Sequence, residues 1–137
     1  MIAVDSNIWI YYLDPTLPEH RKVKPVLEEA IRSENILTST VIWMEVAHYL
    51  FKVSSLPRSE LSQALKKLLK LSTMKVADFD AATLSIAMDI IEEKYRHRIG
   101  GRDAVILATM KKNNVSKLMT HDRGFVGLVE LIDPLAL

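Results

Sequence analysis

Ile2-Ala3-Val4-Asp5-Ser6-Asn7-Ile8-Trp9 decides the fold class. Three apolar residues end on an acid, and two more helix-capping residue types follow it. An apolar run this short, with no alternation, suits a strand buried on both faces. Asp, Ser and Asn then suit a helix start, because their side-chain oxygens accept hydrogen bonds from the free N–H groups of the first turn. The helix predicted over Ile8 to Leu13 is stopped by Asp14-Pro15. A buried strand running straight into a helix is the opening unit of a parallel α/β sheet.

The same alternation continues along the chain. Pro18 to Ser33 reads as a helix, with Val23, Val26, Leu27, Ala30 and Ile31 near helical spacing. Ile36-Leu37-Thr38 reads as a second strand, Val41 to Val53 as a helix, Arg58 to Leu71 as an amphipathic helix, and Met74 to Ala77 as a third strand. Asp80 opens a helix to about Arg96, with Leu84, Ala87, Ile91 and Tyr95 on one stripe. Gly100-Gly101 breaks the chain, Arg102 to Asn113 is a further helix, and Lys117 to Thr120 and Leu128 to Ile132 are the last strands. The expected fold is α/β: a three-layer α/β/α domain with a short, mostly parallel central sheet of four to five strands. In such sheets, sites form beyond the carboxyl ends of the strands.

Length and composition agree. The chain has 137 residues, 49% hydrophobic and 26% charged, which suits one globular domain over 1–137 rather than a disordered chain. With 18 Lys+Arg against 17 Asp+Glu, the net charge of +1 excludes a strongly basic nucleic-acid binder, so any anion-binding surface must be local. The absence of Cys excludes disulfides, thiolate catalysis and Cys-type zinc sites. No basic segment precedes an apolar run at the start. The longest stretch without charge is 10 residues, Asn35 to Met44, too short for a membrane span. The expectation is a cytoplasmic chain with no membrane partner.

Four acids stand out by position. Asp5 closes the first strand, and Asp122 closes the fourth in Thr120-His121-Asp122. Asp103 sits between Gly100-Gly101 and Ala104-Val105-Ile106-Leu107-Ala108. Glu45 interrupts Val41-Ile42-Trp43-Met44-Glu45-Val46-Ala47, where an ionised side chain is costly unless paired or bound to a cation. Each has a plainer reading. Asp5 and Asp103 suit helix starts, Asp122 suits an Asx turn, and Glu45 could pair with His48 one turn on. Together they suit a metal site. Clustered carboxylates repel, a divalent cation removes that repulsion, and oxygen-only ligands select Mg²⁺ or Mn²⁺. Such a site suits phosphodiester hydrolysis. No Gly-x-Ser-x-Gly or Gly-Lys-Ser/Thr motif competes with it.

Asp5-Ser6-Asn7, Glu45 in its apolar helix, Gly101-Arg102-Asp103-Ala104 and Thr120-His121-Asp122-Arg123-Gly124-Phe125 resemble the motifs of PIN-domain ribonucleases, in order and over the whole chain. Within that superfamily the size is similar to the VapC toxins of VapBC toxin–antitoxin pairs. The resemblance implies a metal-dependent endoribonuclease in which water attacks a phosphodiester, leaving a 5′-phosphate and a 3′-hydroxyl. Asp5, Glu45, Asp103 and Asp122 match the family's acidic quartet. Asp5 and Asp103 match its principal Mg²⁺ (or Mn²⁺) ligands, with Glu45 and Asp122 completing the shell through waters or a second metal. Ser6 matches the hydroxyl beside the first acid, Asn7 the brace of the site, and Thr120 the Thr before the last acid. Gly124 departs from the pattern, since many members carry a further acid there, and this puts a two-metal site in doubt.

Arg102 and Arg123 adjoin two of the acids and are the expected RNA phosphate contacts, with Arg96-His97-Arg98 as a further basic cluster. His121 is a candidate for proton transfer or phosphate contact. The aromatics Trp9, Tyr11, Tyr12, Trp43, Tyr49 and Phe51 suit core packing. The first and third helices are nevertheless apolar on more than one face, and an exposed patch there would suit a homodimer or an antitoxin helix. The resemblance implies both partners. Three other readings stand beside the toxin. They are a housekeeping PIN nuclease in RNA processing, a catalytically silent PIN-like binding module, and a phosphoacceptor domain, disfavoured by Asn7 where a second Asp would stand.

Overall fold

The computed structural model describes residues 1–93 and 99–137. Five strands form one sheet: β1 (Ile2–Val4), β2 (Ile36–Ser39), β3 (Met74–Ala77), β4 (Lys117–Met119) and β5 (Glu130–Ile132). Their order is β3-β2-β1-β4-β5, and every pairing is parallel. β1 is central and wholly buried, which is why its sequence is apolar without alternation. The edge strands β3 and β5 are partly exposed and carry Lys75 and Glu130.

The helices are α1 (Ser6–Leu13), α2 (His20–Ser33), α3 (Thr40–Val53), α4 (Arg58–Leu69), α5 (Ala81–Glu93) and α6 (Gly101–Lys112). The chain moves one way across the sheet from β1 to β3, then jumps back past β1 to β4. Right-handed crossovers therefore place α1–α4 on one face and α5–α6 on the other. Within these groups α1 packs on α2 and α3, and α5 on α6. Trp9 of α1 and Trp43 of α3 are both buried, with ring centroids 5.1 Å apart, so these aromatics belong to the core.

Several expectations shift. The last strand starts at Glu130 rather than Leu128, because Gly127 takes φ +84° and the Leu128 N–H turns back to the Phe125 carbonyl. The predicted stripe of α5 is out of phase. Thr83, Ala87 and Ile90 face the core, while Leu84, Met88 and Ile91 are exposed. The stripe's Tyr95, the expected helix end at Arg96 and the Arg96-His97-Arg98 cluster lie outside the described residues. α1 shows no large exposed apolar residue; on α3 these are Met44 and Val53. The exposed patch expected on both helices is thus absent from α1, whose apolar residues are buried or packed against the core. No helix among the described residues is long and apolar enough to cross a membrane.

Candidate active site

The sheet's switch point lies between β1 and β4, the two strands from which the chain departs in opposite directions. Ligands of open α/β sheets bind at that crevice, beyond the carboxyl ends of the strands. Asp5 directly follows β1, and Asp122 follows β4 within three residues. α3 starts where β2 ends, which carries Glu45 to the same rim, and Asp103 lies in the first turn of α6. All four acids line one cavity of about 240 Å³, with Ser6, Asn7 and Arg102 beside them and Ile42 and Ile106 as apolar wall.

Asp5, Asp122 and Glu45 are each held by a specific donor. Asp5 caps α1, its Oδ1 accepting from the Ser6 N–H at 2.7 Å, with the Ser6 hydroxyl 3.5 Å from the same oxygen. Its Oδ2 accepts from the Thr120 hydroxyl at 2.9 Å. Thr120 Oγ1 in turn accepts from the Asp122 N–H at 3.0 Å and from Asn7 Nδ2 at 3.4 Å. Asp122 accepts from the Gly124 N–H at 2.8 Å, the Asx turn anticipated there. Glu45 accepts from the guanidinium of Arg102.

Burial pushes the Asp5 carboxyl above its ordinary value of 3.8; the Thr120 and Ser6 hydrogen bonds pull it back, and the Asp122 and Asp103 charges push it further up. Burial also raises Asp103, again with Asp122 adding. Arg102 is held more firmly protonated, first by its bond to Glu45 and then by the fields of Glu45, Asp5 and Asp103. Burial first and mutual repulsion second thus favour the protonated form of these two acids when no cation is bound.

The donor set is oxygen only, which suits a hard divalent cation and excludes soft-metal chemistry. Asn7 Oδ1 adds a buried oxygen with no hydrogen-bond partner, an acceptor left for a metal-bound or free water. No three acids among the described residues already converge as a closed metal shell. Asp5, Asp122 and Glu45 instead spend oxygens on the donors just named. The residues fit a Mg²⁺ or Mn²⁺ ion that keeps several of its own waters.

The cavity gathers most of the residues expected from the sequence: the four acids, Ser6, Asn7 and Arg102, with Thr120 behind Asp5. Two expectations change. Glu45 pairs with Arg102 across α3 and α6, not with His48, which is exposed one turn along. Arg102 pairs with that carboxylate and stays largely exposed. His121 lies outside the acid cavity; its Nδ1 is 3.0 Å from Asp133. Arg123 lines a neighbouring cavity of about 330 Å³ that shares Asp122 as a wall. The sequence reading missed the apolar walls Ile42 and Ile106. The one signal for Ile106 was its place three residues after Asp103, one helical turn on.

The PIN domain family model matches residues 2–130. VapC ribonuclease Mb1869c of Mycobacterium bovis and ribonuclease VapC13 of Mycobacterium tuberculosis are each 27% identical to this chain over 126 residues, 91% of this chain and 92% of theirs. Among solved structures, VapC20 of Mycobacterium tuberculosis, a sarcin-ricin loop cleaving toxin, superposes with a TM-score of 0.77 at 15% identity, covering 94% of this chain and 96% of that one. A toxin–antitoxin complex from Klebsiella pneumoniae gives 0.72 at 23% identity, covering 98% of each chain. These structures share the fold described above.

Proposed function

The chain belongs to the PIN domain family, and on that premise we propose that it is a divalent-metal-dependent endoribonuclease, the toxin of a toxin–antitoxin pair. The observation that carries the reading is the gathering of Asp5, Glu45, Asp103 and Asp122, from four separate segments, around one cavity at the switch point of the sheet. The nuclease activity and the toxin role follow the names of the relatives. A cognate antitoxin follows the solved toxin–antitoxin complexes that share the fold. A homodimer belongs to the same reading.

Asp5, Asp103 and Asp122 would hold the Mg²⁺ or Mn²⁺ ion. Bound there, a divalent cation lowers the pKa of the attacking water, polarises the phosphoryl oxygen and offsets charge on the leaving oxygen. The chain's own residues do the positioning. Thr120 and the Ser6 N–H fix the two oxygens of Asp5, and the Gly124 N–H fixes Asp122. Asn7 presents its free Oδ1 as an acceptor for a water proton. Ile42 and Ile106 keep one side of the cavity apolar, which strengthens the electrostatic contacts inside it. Arg123, which lines the neighbouring cavity with Asp122, would contact a phosphate next to the scissile one.

The test is 5′-end mapping of total RNA incubated with the protein, with and without Mg²⁺ or Mn²⁺, beside Asp5→Asn and Asp103→Asn. New 5′-phosphate ends should require the metal and both acids. Ends that persist in both variants would overturn the proposal.

A further inference from the structure

Arg102 lines the acid cavity from its open side and reaches Glu45 there. We infer that Arg102 is a built-in cation of this site: by pairing with Glu45 it takes the place of a second metal ion, and the remaining Asp5, Asp103 and Asp122 load a single one. This rests on the reading of the cavity as a divalent-metal nuclease site.

The quartet divides three and one. Burial raises both Asp5 and Asp103, and the mutual repulsion of Asp5, Asp103 and Asp122 adds to it. Among the described residues Glu45 is the one acid of the four in an ion pair, with the Arg102 guanidinium. No cation among the described residues lies within ion-pair distance of the three aspartates, although the Arg102 charge reaches Asp5 and Asp103, whereas the charge of Glu45 is paired directly. A divalent ion gains most where charge is uncompensated, which is among the aspartates.

Two further features point the same way. Two residues after Asp122 the chain carries Gly124 rather than a further acid. A side chain there would meet Asp122 Oδ1 at 3.1 Å from its Cβ, so the turn that holds Asp122 leaves little room for one. Four ionised carboxylates also outweigh one divalent ion by two charges, and Arg102 removes one of these. An arginine cannot lose its proton in this range, so the compensation is permanent.

The pair is also replaceable. The Arg102 side chain is 79% exposed against 28% for Glu45, so the pair is worth little to folding, and removing the arginine leaves the core untouched. Without it, Glu45 faces the cavity with an unpaired charge and becomes available to a second ion.

Mn²⁺ binding to the purified full chain, read by electron paramagnetic resonance of free Mn²⁺ and by calorimetry, tests this apart from cleavage. The wild type should bind one Mn²⁺. Arg102→Met should bind a second, or bind the first about tenfold more tightly, whereas Arg102→Lys, which keeps the charge, should behave as wild type. Glu45→Gln should leave wild-type affinity within about threefold and should erase the gain when combined with Arg102→Met. Two ions in the wild type, an Arg102→Met variant indistinguishable from it, or a Glu45→Gln loss of tenfold or more would each overturn the inference alone. A folded wild type that binds no Mn²⁺ would overturn the metal-nuclease reading and this inference with it.

Discussion

Thr120 gives the single proton of its hydroxyl to Asp5 Oδ2, 2.9 Å away across 115 residues of sequence. Its oxygen must therefore be the acceptor for the Asp122 N–H and for Asn7 Nδ2. That choice also fixes the Asn7 amide, with Oδ1 left unpartnered. One buried hydroxyl thus sets the relative positions of two proposed metal ligands and a proposed water acceptor, at the point where β1 and β4 lie side by side.

Thr120→Val keeps the shape and deletes all three contacts. Leaving Asp5 Oδ2, Asn7 Nδ2 and the Asp122 N–H without this partner should cost about 1–3 kcal/mol in urea unfolding. Mn²⁺ affinity should fall as well, because Asp5 is no longer aimed. Thr120→Ser keeps the hydroxyl and should recover most of both. A Val variant with wild-type Mn²⁺ affinity would show that the hydroxyl does not orient Asp5.

Asp103 carries a stability penalty that depends on pH. Its folded-state pKa is raised above the ordinary 3.8 by burial and by Asp122. The folded chain therefore holds this proton more tightly than the unfolded chain. The resulting stability is fully present below 3.8 and is lost as pH rises through the folded value. Asp103→Asn should accordingly melt a few degrees above wild type at pH 7 in chelator, with the gap closing toward pH 3. Saturating Mn²⁺ should reverse the order, since ligand binding stabilises only the chain that keeps the site. Thermal melts at both pH values, with EDTA and with Mn²⁺, measure it.

Asp80 should show the opposite sign. It accepts from the Thr83 N–H at 2.9 Å and from Lys112 Nζ at 2.8 Å, and these partners, Lys112 foremost, hold its carboxyl far below 3.8. The stability it supplies is present above 3.8 and is lost as pH falls through the folded value. Asp80→Ala should lower the melting temperature at pH 7, with the difference from wild type shrinking under strong acid. An unchanged difference from pH 7 to pH 2 would mean that the contact contributes through shape rather than charge.

The sheet was legible because its strands are short and apolar, and because capping residues follow them directly. Asp5 bonds the Ser6 N–H and Ser39 bonds the Ile42 N–H as their residue types require. The acids were legible because each breaks a local pattern. The Glu45–Arg102 pair was not, since the two lie 57 residues apart on helices whose meeting depends on the whole fold. The facing of α5 was not legible for another reason. That helix carries Thr83, Ala87 and Ile90 on one side and Leu84, Met88 and Ile91 on another. Periodicity establishes that such a helix has stripes, and only packing against α6 decides which one is buried.

Gly124→Ala probes how closely Asp122 must be aimed. The new Cβ would lie 3.1 Å from Asp122 Oδ1, closer than an ordinary carbon–oxygen contact, so the carboxylate must shift by a few tenths of an ångström. Gly124 is exposed and has no positive φ, so the backbone accepts alanine and the fold should keep its stability to within about 0.5 kcal/mol. A ligand moved by that distance should still weaken Mn²⁺ binding severalfold and slow cleavage. Equal Mn²⁺ affinity in the two proteins would place Asp122 outside the metal's inner shell, acting through a water. Melting temperature separates the cases, because only a loss of affinity without a loss of stability belongs to the site.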